Sequence, residues 1–142
     1  MAMLFDDLRA RRGDEPAVID AEGCTTWAQL DERVNRLVHH LRSAGVEPGD
    51  RVALLSGNRR EIEEVLLACA HAGWLTVPIN WHFAPDEVAY VLTDSGATVL
   101  VVDGEFARLA ADAIAVAPEA AARSRLVMAS APPDGFGSYE AA

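Results

Sequence analysis

Leu30, Val34, Leu37, Val38 and Leu41 recur at the spacing of one helical face, with charged and amide residues between them. That rhythm predicts a helix turning a single apolar stripe to a core. Asp31, Glu32, Arg33, Asn35, Arg36 and Arg42 fall off the stripe and are expected to face solvent. Thr26 and Gln29 frame the start as a capping box, each side chain satisfying an orphan backbone donor. Gly45 is expected to close the helix, because glycine takes the left-handed C′ conformation without steric cost. Upstream, Ala17-Val18-Ile19 and Cys24-Thr25-Thr26 flank the turn Asp20-Ala21-Glu22-Gly23 and read as a β-hairpin.

Downstream the rhythm changes. Residues 51–56 form a short, near-continuous apolar run, the signature of a strand buried on both faces of a parallel sheet. Residues 98–102 repeat that pattern, and residues 74–79 and 125–129 read as further strands. Between them lie helical stretches. Asn58, with Glu61 three residues on, is expected to cap the first, which turns Ile62, Val65, Leu66 and Cys69 inward and ends at Gly73. Pro85 opens the next, lined by Val88, Val91 and Leu92 and ended by Ser95-Gly96. An Ala-rich helix over 105–116 stops at Pro118, and residues 80–84 and 131–135 read as loops. Strands alternating with helices build βαβ units with right-handed crossovers. The fold class is therefore α/β: a doubly wound, largely parallel sheet with flanking helices, preceded by a small β-hairpin and helix.

Composition narrows what such a sheet could do. The 142 residues carry 22 acids against 12 basic residues, a formal charge of −10, and every one of the twelve is Arg. Residues 1–85 hold 13 acids and 9 Arg, and residues 86–142 hold 9 acids and 3 Arg, so no basic lobe hides in the average. Nucleic acid and anionic membrane surfaces are poor partners for that charge. The absence of Lys removes any Schiff-base or P-loop lysine from this chain. Asp6, Asp7 and Arg9 interrupt the N-terminal apolar residues, so no leader-type apolar core is present there. No apolar run approaches the ~18 residues of a membrane span. Cys24 and Cys69 are too few for a disulfide framework and suit a reducing, cytoplasmic setting.

No complete catalytic constellation is visible. His39, His40, His71 and His82 form no pair at metal-ligand spacing, and no G-x-G-x-x-G or Walker A loop occurs. Asp6-Asp7, Asp14-Glu15, Asp31-Glu32 and Glu63-Glu64 are adjacent pairs, which point apart on a helix and read as solvated surface charge. Neither catalytic nor metal-ligating residues are assigned. The one unusual string is Pro78-Ile79-Asn80-Trp81-His82-Phe83, at the carboxyl end of a strand, where open α/β sheets bind ligands. It joins an amide, an indole and an imidazole. Trp81 and Phe83 either close the core there or line a site.

Several strings taken in order resemble the N-terminal part of the adenylate-forming enzymes, the acyl-CoA synthetases, firefly luciferase and peptide-synthetase adenylation domains. They are Thr26-Trp27-Ala28-Gln29-Leu30, Asn35-Arg36-Leu37, Gly45-Val46-Glu47-Pro48-Gly49-Asp50-Arg51-Val52-Ala53, Asn58, Ala72-Gly73, Val77-Pro78-Ile79-Asn80, Asp86-Glu87-Val88-Ala89-Tyr90-Val91-Leu92 and Asp94-Ser95-Gly96-Ala97. Residues 135–141 look like the stretch where many of these enzymes begin another helix. The resemblance implies ATP and Mg²⁺ as cofactors that activate a carboxylic acid to an acyl-adenylate, and CoA as the thiol acceptor. It places the phosphate loop, the acid pocket and the catalytic lysine beyond residue 142. Residues 1–142 are accordingly expected to be a partial N-terminal domain, truncated before the phosphate loop and inactive alone.

Two departures mark this chain within the family pattern. Many relatives have Pro-Arg after the asparagine, where Trp81-His82 stands here, and Ala84 replaces a capping Ser or Thr. Because this edge lies near the thiol's approach in CoA-forming relatives, Asn80 and His82 are the candidate cofactor-binding residues, His82 as a phosphate contact. The Trp-His variant resembles the ligases of fatty or other hydrophobic acids. A free-standing α/β binding module and an adenylation domain feeding a carrier protein remain as alternatives. A parallel sheet with an uncovered edge strand is also expected to self-associate.

Overall fold

The computed structural model describes every residue except 1, 22, 119–121 and 123, with backbone alone for residues 2–6. Helix α1 (Ala2–Arg12), to which the sequence pattern assigns no element, leads into strands β1 (Pro16–Asp20) and β2 (Gly23–Thr26). These pair antiparallel as expected, with a bulge between Pro16 and Val18. Asp20 Oδ1 accepts the Gly23 N–H at 3.1 Å in the hairpin turn; Glu22 lies outside the described residues.

Helix α2 (Trp27–Ser43) begins at the expected box: Thr26 Oγ1 accepts the Gln29 N–H and Gln29 Oε1 accepts the Thr26 N–H. It ends as the sequence predicts. Gly45 has φ +81°, its N–H donates to the Arg42 carbonyl, and the Val46 N–H reaches back to the Leu41 carbonyl. This is a Schellman closure, completed by burial of both Val46 and Leu41.

Strand β3 (Arg51–Leu55), helix α3 (Arg60–Ala72), strand β4 (Leu75–Ile79), helix α4 (Pro85–Ser95), strand β5 (Val99–Asp103), helix α5 (Ala107–Val116), strand β6 (Ser124–Met128) and strand β7 (Gly137–Ser138) complete the chain. The five later strands form one parallel sheet in the order β4-β3-β5-β6-β7. Alternation along the strands sends Val52, Leu54, Val99, Val101, Leu126 and Met128 to the face covered by α2 and α3. Ala53, Leu55, Leu100 and Val102 meet α4 and α5 on the other. Every residue of β5 is buried, in keeping with the apolar run over residues 99–102. The sheet is doubly wound, as expected.

Three local expectations need correction. Asn58 does not cap α3; the N-cap is Arg59, with no side-chain hydrogen bond. Leu66 is 40% exposed, because Glu61, Glu64, Val65 and Ala68 occupy the inward face instead. Glu64 is 1% exposed and Asp31 7%, so neither is surface charge. Adjacent helical residues point about 100° apart, so when one acid of a pair faces water the other can face inward. Strand β7 is followed by a single 3₁₀ turn, Tyr139–Ala141.

Candidate functional site

The chain runs from β3 through α3 to β4 on one side, then recrosses through α4 to β5 on the other. The winding direction reverses between β3 and β5, so their carboxyl ends define the crevice where open α/β sheets receive ligands. Three loops converge there: Ser56-Gly57-Asn58-Arg59 after β3, Asn80-Trp81-His82-Phe83 after β4, and Gly104-Glu105-Phe106 after β5.

The candidate residues of the β4 loop are brought together. Asn80 Oδ1 accepts the His82 backbone N–H at 3.0 Å and lies 3.1 Å from His82 Nδ1. A backbone N–H only donates, so the amide atom it meets is the oxygen, and Nδ1 must carry the imidazole proton to satisfy it. Nε2 is left to a partner. The Phe83 N–H donates to the Asn80 carbonyl at 3.1 Å, closing the turn. The two aromatics of this loop part company. Phe83 is half-buried and packs on the α4–α5 side of the core, whereas Trp81 is 43% exposed. The indole stacks on His82, with ring centres 3.4 Å apart, and on Phe106 at 5.4 Å.

Phe106 is a residue the sequence pattern does not single out. It arrives from the far side of β3 on a 3₁₀ turn, Gly104–Phe106, and its ring lies over Gly57. Asp103, 3% exposed, accepts the Glu105 N–H at that turn's start. The same carboxylate is 3.8 Å from Arg59 Nε, and Arg59 also donates to Glu61 at 3.2 Å. Gly104 is required by close approach: a Cβ there would collide with Ser130 Oγ and stand 3.0 Å from the Met128 carbonyl oxygen.

A second polar cluster lies on the α2–α3 side. Arg33 Nε donates to Glu64 Oε1 at 2.5 Å, and its terminal nitrogens grip both oxygens of Glu140. The buried Tyr139 hydroxyl donates to Glu64 Oε2 at 2.8 Å. Burial, then the charge of Glu64, pushes the Tyr139 phenol well above its usual range. Burial works against the charged Arg33, yet its bonds to Glu140 and Glu64 hold it above the usual guanidinium range. Arg33, Arg36 and Arg60 line a cleft of about 400 Å³ with Glu32, Glu61 and Glu140, where opposite charges balance. The cluster staples the Tyr139–Ala141 turn to α2 and α3 and has no sequence signature beyond isolated charges.

The remaining candidates stay dispersed. His39 and His71 are exposed and His40 half-buried, and among the described residues no three His, Cys, Asp or Glu side chains converge on a metal site. Cys24 is exposed; Cys69 is buried, and burial raises its thiol above the usual range against an opposing Thr76 hydrogen bond. No helix among the described residues is long and apolar enough to cross a membrane.

A parallel, doubly wound sheet with this loop at its carboxyl edge has a defined lineage. The sequence profile described as AMP-binding enzyme matches residues 5–138, and the chain belongs to that family. It is 38% identical over 104 residues to a fatty acid–[acyl-carrier-protein] ligase of Streptomyces coeruleorubidus, covering 73% of this chain and 20% of that relative. It is 42% identical over 104 residues to a feruloyl-CoA synthase of an Amycolatopsis species, covering 72% and 21%. A benzoate CoA ligase of Burkholderia xenovorans superposes with a TM-score of 0.83 at 28% identity, over 99% of this chain and 27% of that one. The chain thus spans about a fifth of the length of the curated relatives it matches.

Proposed function

We propose that residues 1–142 form part of the N-terminal domain of an AMP-forming acid–CoA ligase acting on fatty or other hydrophobic carboxylic acids. Such a ligase joins the acid to ATP as an acyl-adenylate with release of pyrophosphate. It then transfers the acyl group to a thiol with release of AMP. Among the described residues no three His, Cys, Asp or Glu side chains converge on a metal site. Residues 1–142 are read as a platform for the reaction, and adenylation by this stretch alone is not expected.

The observation that carries the reading is the β4 loop. Its imidazole is exposed and held by Asn80, with Nε2 open beside a stacked indole at the carboxyl edge of the sheet. This donor set suits a phosphorylated nucleotide thiol. Carrying a second proton on Nε2, the imidazole donates to a phosphate, and the aromatic column offers a flat face to a purine. A carrier-protein thiol is the second reading, favoured by the likeness to a fatty acid–[acyl-carrier-protein] ligase. A phosphopantetheine arm brings a phosphate but no purine, so the two acceptors differ in their demand on the column.

The test is His82→Ala in the complete ligase, with pyrophosphate release and thioester formation assayed separately. A hydrogen bond to a charged group contributes about 1.5–3 kcal/mol, so apparent KM for CoA is expected to rise on the order of tenfold. Adenylate formation should stay nearly intact, and His82→Arg should restore CoA use. Equal loss in both half-reactions would mean that His82 is packing and would overturn the thiol reading. A loss seen with holo carrier protein but not with CoA would select the second acceptor.

A further inference from the structure

We infer that Phe106 and Asp103, which follow and end the strand on the far side of β3 from the Asn80 loop, are positioning residues that hold Trp81 and His82 in place.

Consider what fixes the indole. Trp81 is 43% exposed, and Phe83, the other aromatic of its loop, packs on the core. Among the described residues the rings stacked on the indole are the imidazole of its own neighbour and Phe106. His82 moves with the same loop and gives no external anchor. Phe106 does, because it belongs to β5's end and reaches over Gly57 to meet the indole at an interplanar angle of 17°. The column therefore bridges the switch-point crevice, tying the β4 loop to the β5 loop above the end of β3.

Phe106 is itself aimed by the turn beneath it. Asp103 starts that turn by accepting the Glu105 N–H at 3.3 Å, while its second oxygen faces Arg59. A buried carboxylate is stable only when charge and hydrogen bonds compensate its lost hydration. Arg59 supplies the charge, and Glu61 holds Arg59 by two hydrogen bonds of 3.2 and 3.3 Å. Gly104 allows the turn to nest against Ser130 and Met128. A relay of contacts thus runs from α3 through Arg59 and Asp103 to Phe106, Trp81 and His82. Neither Arg59 nor Asp103 needs to touch a ligand.

A merely structural role for Phe106 is the competing account, since it also packs on the core. Phe106→Leu separates the two, because leucine keeps apolar packing and removes the flat face. The readout is the His82 ring-proton resonances, displaced upfield by the indole ring current and identified among four histidines with His82→Gln. Phe106→Leu and Asp103→Ala should each lose most of that displacement. Asp103→Asn, which keeps an acceptor for the Glu105 N–H, should retain it. An unchanged His82 signal in folded Phe106→Leu would overturn the inference. Phe106→Leu decides alone if Asp103→Ala does not fold.

The consequence for thiol binding rests on the reading of His82 given above. In the complete ligase, Phe106→Leu should raise the KM for CoA severalfold and leave adenylate formation unchanged. Loss of the ring-current displacement with an unaltered KM would uphold the positioning role and count against the thiol reading instead.

Discussion

Glu64 shows how much one buried charge depends on its neighbours. Its two oxygens are divided between Arg33 and Tyr139, and it is 1% exposed. Removing a partner from a buried charged acceptor costs about 1.5–3 kcal/mol, so Tyr139→Phe should destabilise the fold by that amount. The network also sets a pH signature. Tyr139 and Cys69 both hold their protons in the folded state above the usual ranges of their groups. In the unfolded chain a thiol ionises near pH ~8.5 and a phenol near pH ~10. Above those values the folded state binds more protons than the unfolded one, and stability falls as pH rises. Thermal melts should therefore be insensitive to these two groups up to about pH 8 and decline beyond about pH 8.5. In Tyr139→Phe the decline above about pH 10 should flatten. Melting temperatures constant to pH 11 would contradict this account.

Among the elements, α2 is the one whose limits are written in full in the sequence, and it offers the cleanest test. Thr26→Ala removes half the capping box and should cost about 1 kcal/mol, measured by urea denaturation with an unchanged slope. Strands β3 and β5 were equally legible, because each carries an apolar run buried on both faces and bounded by Gly, Pro or Asn. What stayed hidden has a physical cause in each case. Glu64 and Asp31 carry charges whose burial depends on partners 31 and 22 residues away in sequence, Arg33 and Arg9. Arg59 caps no helix with its side chain, and spends its guanidinium on Glu61 and Asp103 instead. Asn80 and His82 were visible as a local string, since an asparagine bonding two residues ahead is a short-range event. Phe106 was not, because its meeting with Trp81 exists only after β3 has been threaded between their strands.

At the scale of the molecule, β4 is an edge strand and leaves Leu75 exposed. The Leu75 N–H donates inward to the Asp50 carbonyl, so alternation turns the backbone of Thr76 and Pro78 outward. Pro78 has no N–H to offer, which blunts the rim against addition of another strand. We therefore expect residues 1–142 to self-associate through apolar side chains of this edge and not through a continued ladder. Light scattering should show mass rising with concentration, and Leu75→Arg should return the monomer. A wild-type chain that stays monomeric at high concentration would rule this out.

The placement of β3 between β4 and β5 also dictates an order of assembly. The β3–α3–β4 unit joins strands whose paired residues, Arg51 and Leu75, lie close along the chain, whereas Val52 meets Val99 across roughly twice that separation. Doubling a loop adds only about 0.6 kcal/mol to its closure entropy, yet such non-local pairings slow folding. The crevice between β3 and β5 is therefore expected to form late in folding, once the chain has doubled back across the β3–β4 pair.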